Sequence, residues 1–172
     1  QETDRFGRTL GYLWVDDRFV NLELVRLGYA TAYTEPPNVQ YSAEIVAAEK
    51  RARDAQAGLW ESADVPVRIQ TIVSDAPGPD HQNPNGEWVE LVVDGSHPVD
   101  LGGFTMKDEA NHIYVFPAVK LNPGQRLKLH SGPGVDDESL YWGLVDDAVW
   151  NNGGVTAYLR DPQGRLVDVY EY

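Results

Sequence analysis

The sequence predicts an α+β protein in which a hairpin and two helices precede an antiparallel β-sandwich. Apolar residues recur at helical spacing only in the first third of the chain. From about Val65 onward they alternate with polar residues, as they do in half-buried strands, and six or seven short apolar runs follow with turn-forming residues between them. Runs of this kind without helical periodicity are typical of a sandwich. The change of pattern along the chain indicates two structural units.

The first predicted element is a β-hairpin over residues 4–20, with Asp16-Asp17 as its turn. Apolar side chains stand on both faces of its first strand: Leu10, Tyr12 and Trp14 on one face, Leu13 and Val15 on the other. A strand with one solvated face alternates apolar and polar residues. We therefore expect this strand to be buried on both sides.

Two helices are predicted after the hairpin. The first is short, with Asn21 as its N-cap, and ends at Gly28 because glycine is favoured just past a helix. The second extends from about Ser42, its predicted cap, to Gln56, and Gly58 stops it. Small residues form a narrow inner stripe on this second helix: Ile45, Ala48, Ala52 and Ala55.

The remaining elements are predicted as short strands. The first of them shows Val67, Ile69 and Thr71 alternating with Arg68 and Gln70, and the others are 88–93, 103–106, 113–116, 126–130, 155–160 and 166–170. Their connections include Asp94-Gly95 and Asn122-Pro123-Gly124, which are good turn sequences. We expect two domains, residues 1–61 and 67–172, joined by a linker at 62–66.

Charge is distributed unevenly over a chain whose net charge is −13. Residues 1–61 carry 7 basic and 10 acidic side chains, whereas residues 62–172 carry 7 basic and 17 acidic ones. Surfaces that bind duplex nucleic acid usually show a basic stripe, because phosphate contacts dominate non-specific affinity. The second segment shows none. Its excess of acidic side chains is predicted to form a solvated surface. The alternative explanation for this excess is adaptation to a salty or calcium-rich habitat.

Several kinds of site and segment are excluded or not expected. The chain has no cysteine, which excludes disulfides, thiolate zinc sites and cysteine nucleophiles. No apolar run approaches the roughly 18 residues of a membrane span, so no span is expected. The sequence begins at Gln1 without an initiator Met or a signal peptide. We therefore expect a fragment or a processed product.

The histidines and the acidic loops offer weak metal sites at most. No two histidines have the spacing of a two-His metal motif: His81, His97, His112 and His130. Two acidic loops, Asp136-Asp137-Glu138 and Asp146-Asp147, could together form a weak calcium site. Because neither has the spacing of an EF-hand, solvated loops are the favoured interpretation.

Two further groups of side chains are interpreted as structural. Glu87 and Glu90 lie three positions apart on a predicted strand and so face opposite sides, and we do not expect them to act as an acid/base pair. Trp88, Trp142 and Trp150 are predicted to pack in or beside the core. The alternative for these tryptophans is a platform on which nucleic-acid bases stack.

Residues 4–12 read Asp-Arg-Phe-Gly-Arg-Thr-Leu-Gly-Tyr, and this stretch resembles the D-x-[YF]-G-R-x-L-x-Y motif of the thermonuclease (staphylococcal nuclease-like) family. Further positions agree in the order and approximate spacing of that family: Val20-Asn21, Leu24-Val25-Arg26, Gly28, Ala30, Pro37-Asn38, Ala52-Arg53 and Gly58-Leu59-Trp60. The resemblance implies part of an OB-fold barrel from a family that cleaves DNA and RNA with calcium (Ca²⁺).

The family's functional residues transfer to this sequence only in part. One of its two phosphate-contacting arginines maps onto Arg8, which is expected to be catalytic by stabilising charge on the phosphate. Tyr33 corresponds to a nucleotide-contacting tyrosine of the family after a one-residue shift in alignment. The carboxylates that hold the metal and the general base would precede Gln1. We therefore expect the chain alone to bind no metal and to be inactive.

A second resemblance covers about residues 65–172, and its stretches are distributed over the whole segment: Gly86–Leu91, Val99–Asp108, Tyr114–Pro117, Leu121–Gly124, Trp150–Gly154 and Leu166–Asp168. They resemble the lamin-tail domain, an immunoglobulin-like sandwich appended to microbial secreted nucleases and surface proteins. The resemblance implies fold and context, because the family has no common enzymatic activity.

Together the two resemblances imply a secreted, calcium-dependent phosphodiesterase with a C-terminal accessory domain, located outside the cell or on its surface. Its substrate would be nucleic acid. A missing N-terminal nuclease segment or a second copy is expected to cover residues 10–15, because the hairpin lacks the strands that close a barrel. The alternative is a non-catalytic module that binds nucleic acid, protein or the cell envelope.

Overall fold

A computed structural model describes residues 2–3, 7–77, 83–108, 112–145, 149–150, 154 and 156–171. The chain divides into two compact units, Gln1–Ser62 and Ala63–Tyr172. Within the described ranges, no helix combines the length and the apolar character that crossing a bilayer would need. The prediction of an α+β protein is confirmed, with both helices in the first unit and most of the strands in the second.

The first unit consists of one hairpin and three helical segments: β1 (Trp14–Val15), β2 (Arg18–Phe19), α1 (Val20–Arg26), α2 (Ser42–Asp54) and a 3₁₀ turn at Gly58–Trp60. Its core is formed by buried side chains of β2 and the two helices: Phe19, Val25, Ile45 and Ala48. Tyr12 and Tyr41 pack against this core at its edge, with their ring centroids 4.8 Å apart.

The predicted hairpin is present, but its paired part is short and its first strand is not buried. Trp14 pairs with Phe19 across a turn in which Asp16 has a φ of 53°. The expectation of a strand buried on both faces is wrong for this unit, since Leu13 is 58% exposed and Val15 is 53% exposed. Nothing within the described part of the first unit covers them.

The start of α1 also differs from the prediction. Phe19 occupies the N-cap position without a side-chain hydrogen bond, and the helix begins at Val20. The side chain of Asn21 instead points back to the preceding strand, where its Oδ1 accepts from the Leu13 amide at 2.7 Å and its Nδ2 donates to the Gly11 carbonyl at 3.3 Å. Asn21 therefore fastens the hairpin to the helix rather than capping it.

Helix α2 begins at Ser42 as predicted and ends at Asp54, two residues before the predicted end. Ser42 does not cap it: its hydroxyl donates to the Val39 carbonyl at 2.9 Å, and Tyr41 occupies the N-cap position. At the other end Gln56 has a φ of 50°, and the Ala57 amide donates to the Ala52 carbonyl. Gln56 therefore ends the helix in the left-handed conformation that glycine usually adopts at this position, whereas the predicted stop is Gly58.

The second unit is a two-sheet sandwich of ten strands within the described residues: β3 (Val67–Val73), β4 (Trp88–Val93), β5 (Val99–Asp100), β6 (Thr105–Lys107), β7 (Ile113–Val115), β8 (Lys120–Leu121), β9 (Arg126–His130), β10 (Leu140–Tyr141), β11 (Thr156–Arg160) and β12 (Leu166–Glu171). One sheet has the order β10-β9-β4-β3 and the other β12-β11-β6-β7. β5 and β8 form a separate short pair. Every pairing is antiparallel except β10 with β9.

The inner faces of both sheets meet in one core. Its fully buried members include residues of β4, β6, β9 and β11 together with Leu101 and Trp150, which lie outside the strands: Val89, Leu91, Leu101, Met106, Leu129, Trp150, Ala157 and Leu159. Strand β3 departs from the simple alternation that the sequence predicts. The register shifts between Ile69 and Thr71, so that Ile72 rather than Thr71 is buried after the bulge.

Candidate nucleic-acid interface

The first unit contains a groove of about 580 Å³ between the segment that precedes β1, helix α1, the loop that joins the helices, and the first turns of α2. Residues from each of these parts line it: Thr9, Tyr12, Asn21, Tyr33, Glu35 and Ile45. Two contacts hold the interhelical loop beside this groove. The hydroxyl of Tyr12 donates to the Asn38 carbonyl at 3.1 Å. Glu49 on α2 accepts from the Ala32 amide at 3.0 Å.

Arg8 lies on an exposed segment next to the groove rather than among its lining residues. It follows Gly7, whose φ of 77° marks a turn, and precedes Thr9, which forms an isolated antiparallel bridge with Thr3. The residue is exposed, and a guanidinium is a side chain that binds phosphate through charge-assisted hydrogen bonds. The other motif residues, 4–6, lie outside the described part of the chain.

Tyr33 is exposed and belongs to the groove, as a nucleotide-contacting side chain would. Its hydroxyl donates to Glu35 Oε2 at 2.7 Å, so Glu35 orients the ring. The structure thus places Tyr33 and the neighbour of Arg8 around one groove. Nothing in the sequence marks Glu35 and Glu49 as positioning residues, because a single acidic residue in a loop or on a helix surface gives no pattern that distinguishes such a role from solvation.

The described residues do not provide a set of ligands that fits calcium. They contain no group of three or more His, Asp or Glu side chains placed to hold a metal ion. Within the loop of Asp136 and Asp137, both carboxylates accept backbone amides, from Tyr141 at 3.0 Å and from Ser139 at 3.2 Å. The second acidic loop, at 146–147, lies outside the described residues. No step of a reaction can therefore be assigned to a metal held by this part of the chain.

The described histidines each have a separate local partner. His97 Nδ1 lies 2.9 Å from the hydroxyl of Ser96, and His112 Nδ1 lies 2.6 Å from Asp108 Oδ2. His130 Nδ1 lies 2.8 Å from the Asn85 carbonyl oxygen. His81 lies outside the described residues.

The acidic and aromatic groups of the sandwich occupy structural positions. Glu87 is fully buried before β4, whereas Glu90 accepts from Arg126 Nη1 at 2.7 Å. Trp150 is buried, and its ring centroid lies 6.0 Å from that of Trp142. Trp88 is covered by Lys128, whose Nζ lies 3.8 Å from the ring centroid. The geometry agrees with packing rather than with a base-stacking platform.

Comparison with known proteins agrees with the two units. Residues 1–62 match the model described as Staphylococcal nuclease homologue, an OB-fold family, and residues 61–172 match the model described as Lamin Tail Domain, an immunoglobulin-like sandwich. The nuclease part is 41% identical over 58 residues to "Thermonuclease" of Staphylococcus intermedius, a match that covers 34% of this chain and 34% of that protein.

A second relative is "Thermonuclease" of Staphylococcus hyicus, 37% identical over 62 residues, which is 36% of this chain and 37% of that protein. An uncharacterized protein of Bacillus anthracis is 36% identical over 58 residues, or 33% of this chain and 27% of that protein. The chain therefore spans about a third of the length of these curated relatives. The first unit is thus a staphylococcal-nuclease-like segment, and the chain belongs to the Lamin Tail Domain family.

Proposed function

We propose that this chain is part of a secreted, calcium-dependent phosphodiesterase that acts on DNA or RNA, with the lamin tail domain as a C-terminal accessory domain. The observation that carries the proposal is the 41% identity of the first unit to a thermonuclease over 58 residues. The groove beside Arg8 and Tyr33 supports it, because it offers a place for a nucleotide next to a cation. An extracellular location follows from the same relationship and is part of the proposal.

In this proposal Arg8 contacts the phosphate that is cleaved. A guanidinium is planar, always charged, and can donate two parallel hydrogen bonds to phosphate oxygens. Such a donor stabilises the charge that builds up on the phosphorus-bound oxygens during substitution. Tyr33, oriented by Glu35 at 2.7 Å, contacts the nucleotide within the groove.

We further propose that this chain is inactive alone. Calcium ligands and the general base would come from polypeptide outside the described residues, since those residues hold no suitable cluster. The same polypeptide, or a second copy of this chain, would cover Leu13 and Val15. The first of these is favoured, because two strands and two helices cannot close a barrel.

A chimera tests the proposal directly. In the thermonuclease of Staphylococcus intermedius, the region that matches this chain is replaced by residues 1–62. We expect nuclease activity that EDTA abolishes, and a loss of at least 100-fold in kcat on Arg8→Ala with a smaller loss on Arg8→Lys, because lysine keeps the charge but not the fork of donors.

Circular dichroism and thermal melting establish that each chimera is folded. A folded chimera without activity would refute the nuclease assignment of the first unit. Full activity in the Arg8→Ala chimera would refute the role of Arg8 alone and leave the assignment of the unit in place.

The second candidate function is a non-catalytic binding or anchoring module. It is favoured by one observation: the lamin tail match covers residues 61–172, the larger part of the chain, and that part forms a two-sheet sandwich with a single core. A nuclease assay of the purified chain with calcium and with EDTA bears on both candidates. Calcium-dependent cleavage by residues 1–172 would contradict the proposed inactivity and the binding-module hypothesis together.

A further inference from the structure

Within the described residues, strand β7 forms one edge of its sheet and pairs with β6 alone. The bonds that flank it fix which backbone groups point outward. The Asp108 amide donates to the His112 carbonyl, and the Phe116 amide donates to the Phe104 carbonyl. Antiparallel strands alternate between bonded and non-bonded pairs. The pair of Tyr114 with Met106 is therefore bonded as well.

It follows that the N–H and C=O groups of Ile113 and Val115 point away from β6, toward the free edge of the sheet. These four groups form the template to which a further strand could bind. The side chains of the same two residues are 55% and 60% exposed. β7 thus combines open backbone groups with exposed β-branched side chains, and it contains none of the Pro, Lys or bulge residues that usually protect an edge.

Other edges of the two sheets are protected by side chains. The Asp168 side chain on β12 accepts a hydrogen bond from the Ile69 amide of β3 at 2.7 Å, so the edges of these two strands lie against each other. The edge strand β10 is only two residues long, and Asp136 accepts its Tyr141 amide at 3.0 Å. The contrast with β7 shows that the fold blocks edges elsewhere, and an open apolar edge is the kind of surface that binds a partner.

Size and charge argue against a second copy as that partner. Three residues of strand extend over about 10 Å, whereas a stable interface between folded proteins buries about 800 Å² on each side. Each copy also carries a net charge of −13, and a contact as small as three residues of strand offers little to offset the repulsion between two copies. A single extended peptide can form hydrogen bonds with the four edge groups without bringing a second acidic protein close.

The charge next to β7 indicates the chemistry of that peptide. Lys107 lies opposite Ile113, and Arg160 lies opposite Thr105, so both cations share the outer face with the exposed aliphatic side chains. Burial lowers the pKa of Lys107, and the neighbouring charge of Arg160 lowers it further. No described acidic side chain forms an ion pair with Lys107 across this face. A carboxylate on an added strand would lie within reach of the lysine side chain and would add to the negative charge of Asp108, which already favours the protonated lysine.

We propose that β7 is a docking edge for an extended peptide that adds antiparallel to the sheet, placing one aliphatic and one acidic side chain on the outer face beside Val115 and Ile113. This mode of recognition uses main-chain bonds for affinity and alternate side chains for specificity. It is independent of the nuclease proposal, because it uses only residues of the lamin tail domain.

The probe is a fluorescein-labelled peptide, Gly-Thr-Val-Thr-Glu-Thr-Gly-amide, and its binding to the full chain is measured by fluorescence anisotropy. We expect saturable binding that weakens at least 10-fold when Glu is replaced by Lys in the peptide. N-methylation of its Val and Glu amides should abolish binding, whereas N-methylation of its three Thr amides should not, because only alternate amides face the sheet. Any other pattern of methylation effects, or no binding, overturns the proposal.

Variants of the protein give a second set of readouts. Val115→Pro removes an outward N–H that forms no hydrogen bond with β6, and it should weaken peptide binding at least 10-fold. Val115→Thr keeps this N–H and should not weaken binding. Lys107→Glu should reverse the preference, so that the Lys peptide binds more tightly than the Glu peptide. Sedimentation that shows a dimer of the chain alone, dissociated by Val115→Pro, would overturn the peptide as the occupant of this edge.

Discussion

Gly28 and Gly58 lie against each other where the two helices of the first unit end. A Cβ atom on Gly58 would stand 2.6 Å from the carbonyl oxygen of Gly28, and a Cβ on Gly28 would stand 1.9 Å from that of Ala57. Both glycines have positive φ, 75° and 57°. The close approach lets the Leu59 amide donate to the Gly28 carbonyl at 2.7 Å, which ties the end of α1 to the chain that follows α2.

Gly28→Ala should therefore destabilise the first unit strongly. The substitution adds strain at a positive φ and forces a methyl group into the Ala57 carbonyl, and we expect a loss of about 3 kcal/mol or more in free energy of unfolding. Gly7→Ala is the matched control. It has a similar φ of 77°, and no described atom lies within 4 Å of the added methyl, so about 1 kcal/mol is expected. Urea denaturation that gives equal losses would contradict the close approach.

These contacts show what the sequence could and could not predict. Gly28 and Gly58 were predicted as helix stops from their positions alone, but their mutual contact depends on the packing of two helices and has no local pattern. Asn21 was predicted as an N-cap because that residue type is common there. Its side chain bonds the Leu13 and Gly11 backbone instead, since the hairpin lies close enough to compete.

The strands of the sandwich were predicted more closely, because period-two alternation is a local property that core burial enforces. β4 and β9 have the predicted bounds. The two-residue strands β5, β8 and β10 were missed, since two residues give no periodicity. The groove around Tyr33 could be reached from sequence only through the family resemblance, because its walls come from four separate segments.

Asp161 should make stability depend on pH at the acidic end. Burial alone would raise the pKa of Asp161, but the hydrogen bonds and charge of Arg165 outweigh it and hold the pKa below its ordinary value of 3.8. Its carboxylate accepts the Arg165 amide at 2.8 Å and Arg165 Nη2 at 2.7 Å. A lowered folded-state pKa contributes stability that is present above the unfolded value and is lost as the pH falls through the folded value.

Asp161→Asn should accordingly reduce the free energy of unfolding by about 2 kcal/mol at pH 7, with a smaller difference below pH 3.8. Asp94→Asn is the control, because Asp94 pairs with Arg68 on an exposed surface, and a change of about 0.5 kcal/mol or less is expected. A difference between Asp161→Asn and the unsubstituted chain that stays constant from pH 7 to pH 3 would contradict the assigned role of the ionised carboxylate.

The boundary of the sandwich predicts how short the domain can be made. The Ala63 amide donates to the Leu166 carbonyl at 2.7 Å, and the Pro66 carbonyl accepts from the Asp94 amide at 2.9 Å. Val65 also packs against the core. A polypeptide of residues 63–172 should therefore fold alone with a cooperative melt and a β-type circular dichroism spectrum. A polypeptide of residues 67–172 should melt several degrees lower, because it lacks these contacts. If the longer polypeptide does not melt cooperatively, the sandwich is not an independent domain.

The exposed hairpin of the first unit predicts association of the chain. Leu13 and Val15 are more than half exposed beside a two-stranded pair whose far edge has no described neighbour. Apolar strands that stay uncovered tend to pair with other chains. We expect residues 1–172 to self-associate at micromolar concentration in sedimentation velocity experiments, and Leu13→Gln with Val15→Gln to shift the midpoint of association upward at least 10-fold.

The pair of substitutions leaves the core of the first unit intact, because Trp14, which stacks on Phe19 at 4.8 Å between ring centroids, is unchanged. Val46→Gln is the control: Val46 is as exposed as Val15, but it lies on α2 and offers no free strand edge. It should leave association unchanged, since an exposed apolar side chain on a helix presents no open backbone bonds. If Val46→Gln weakens association as much as Leu13→Gln with Val15→Gln does, the association depends on general apolar exposure rather than on the open hairpin. A chain that remains monomeric at every concentration would show that the hairpin needs no cover, and would remove the main structural reason for placing missing barrel strands over residues 10–15.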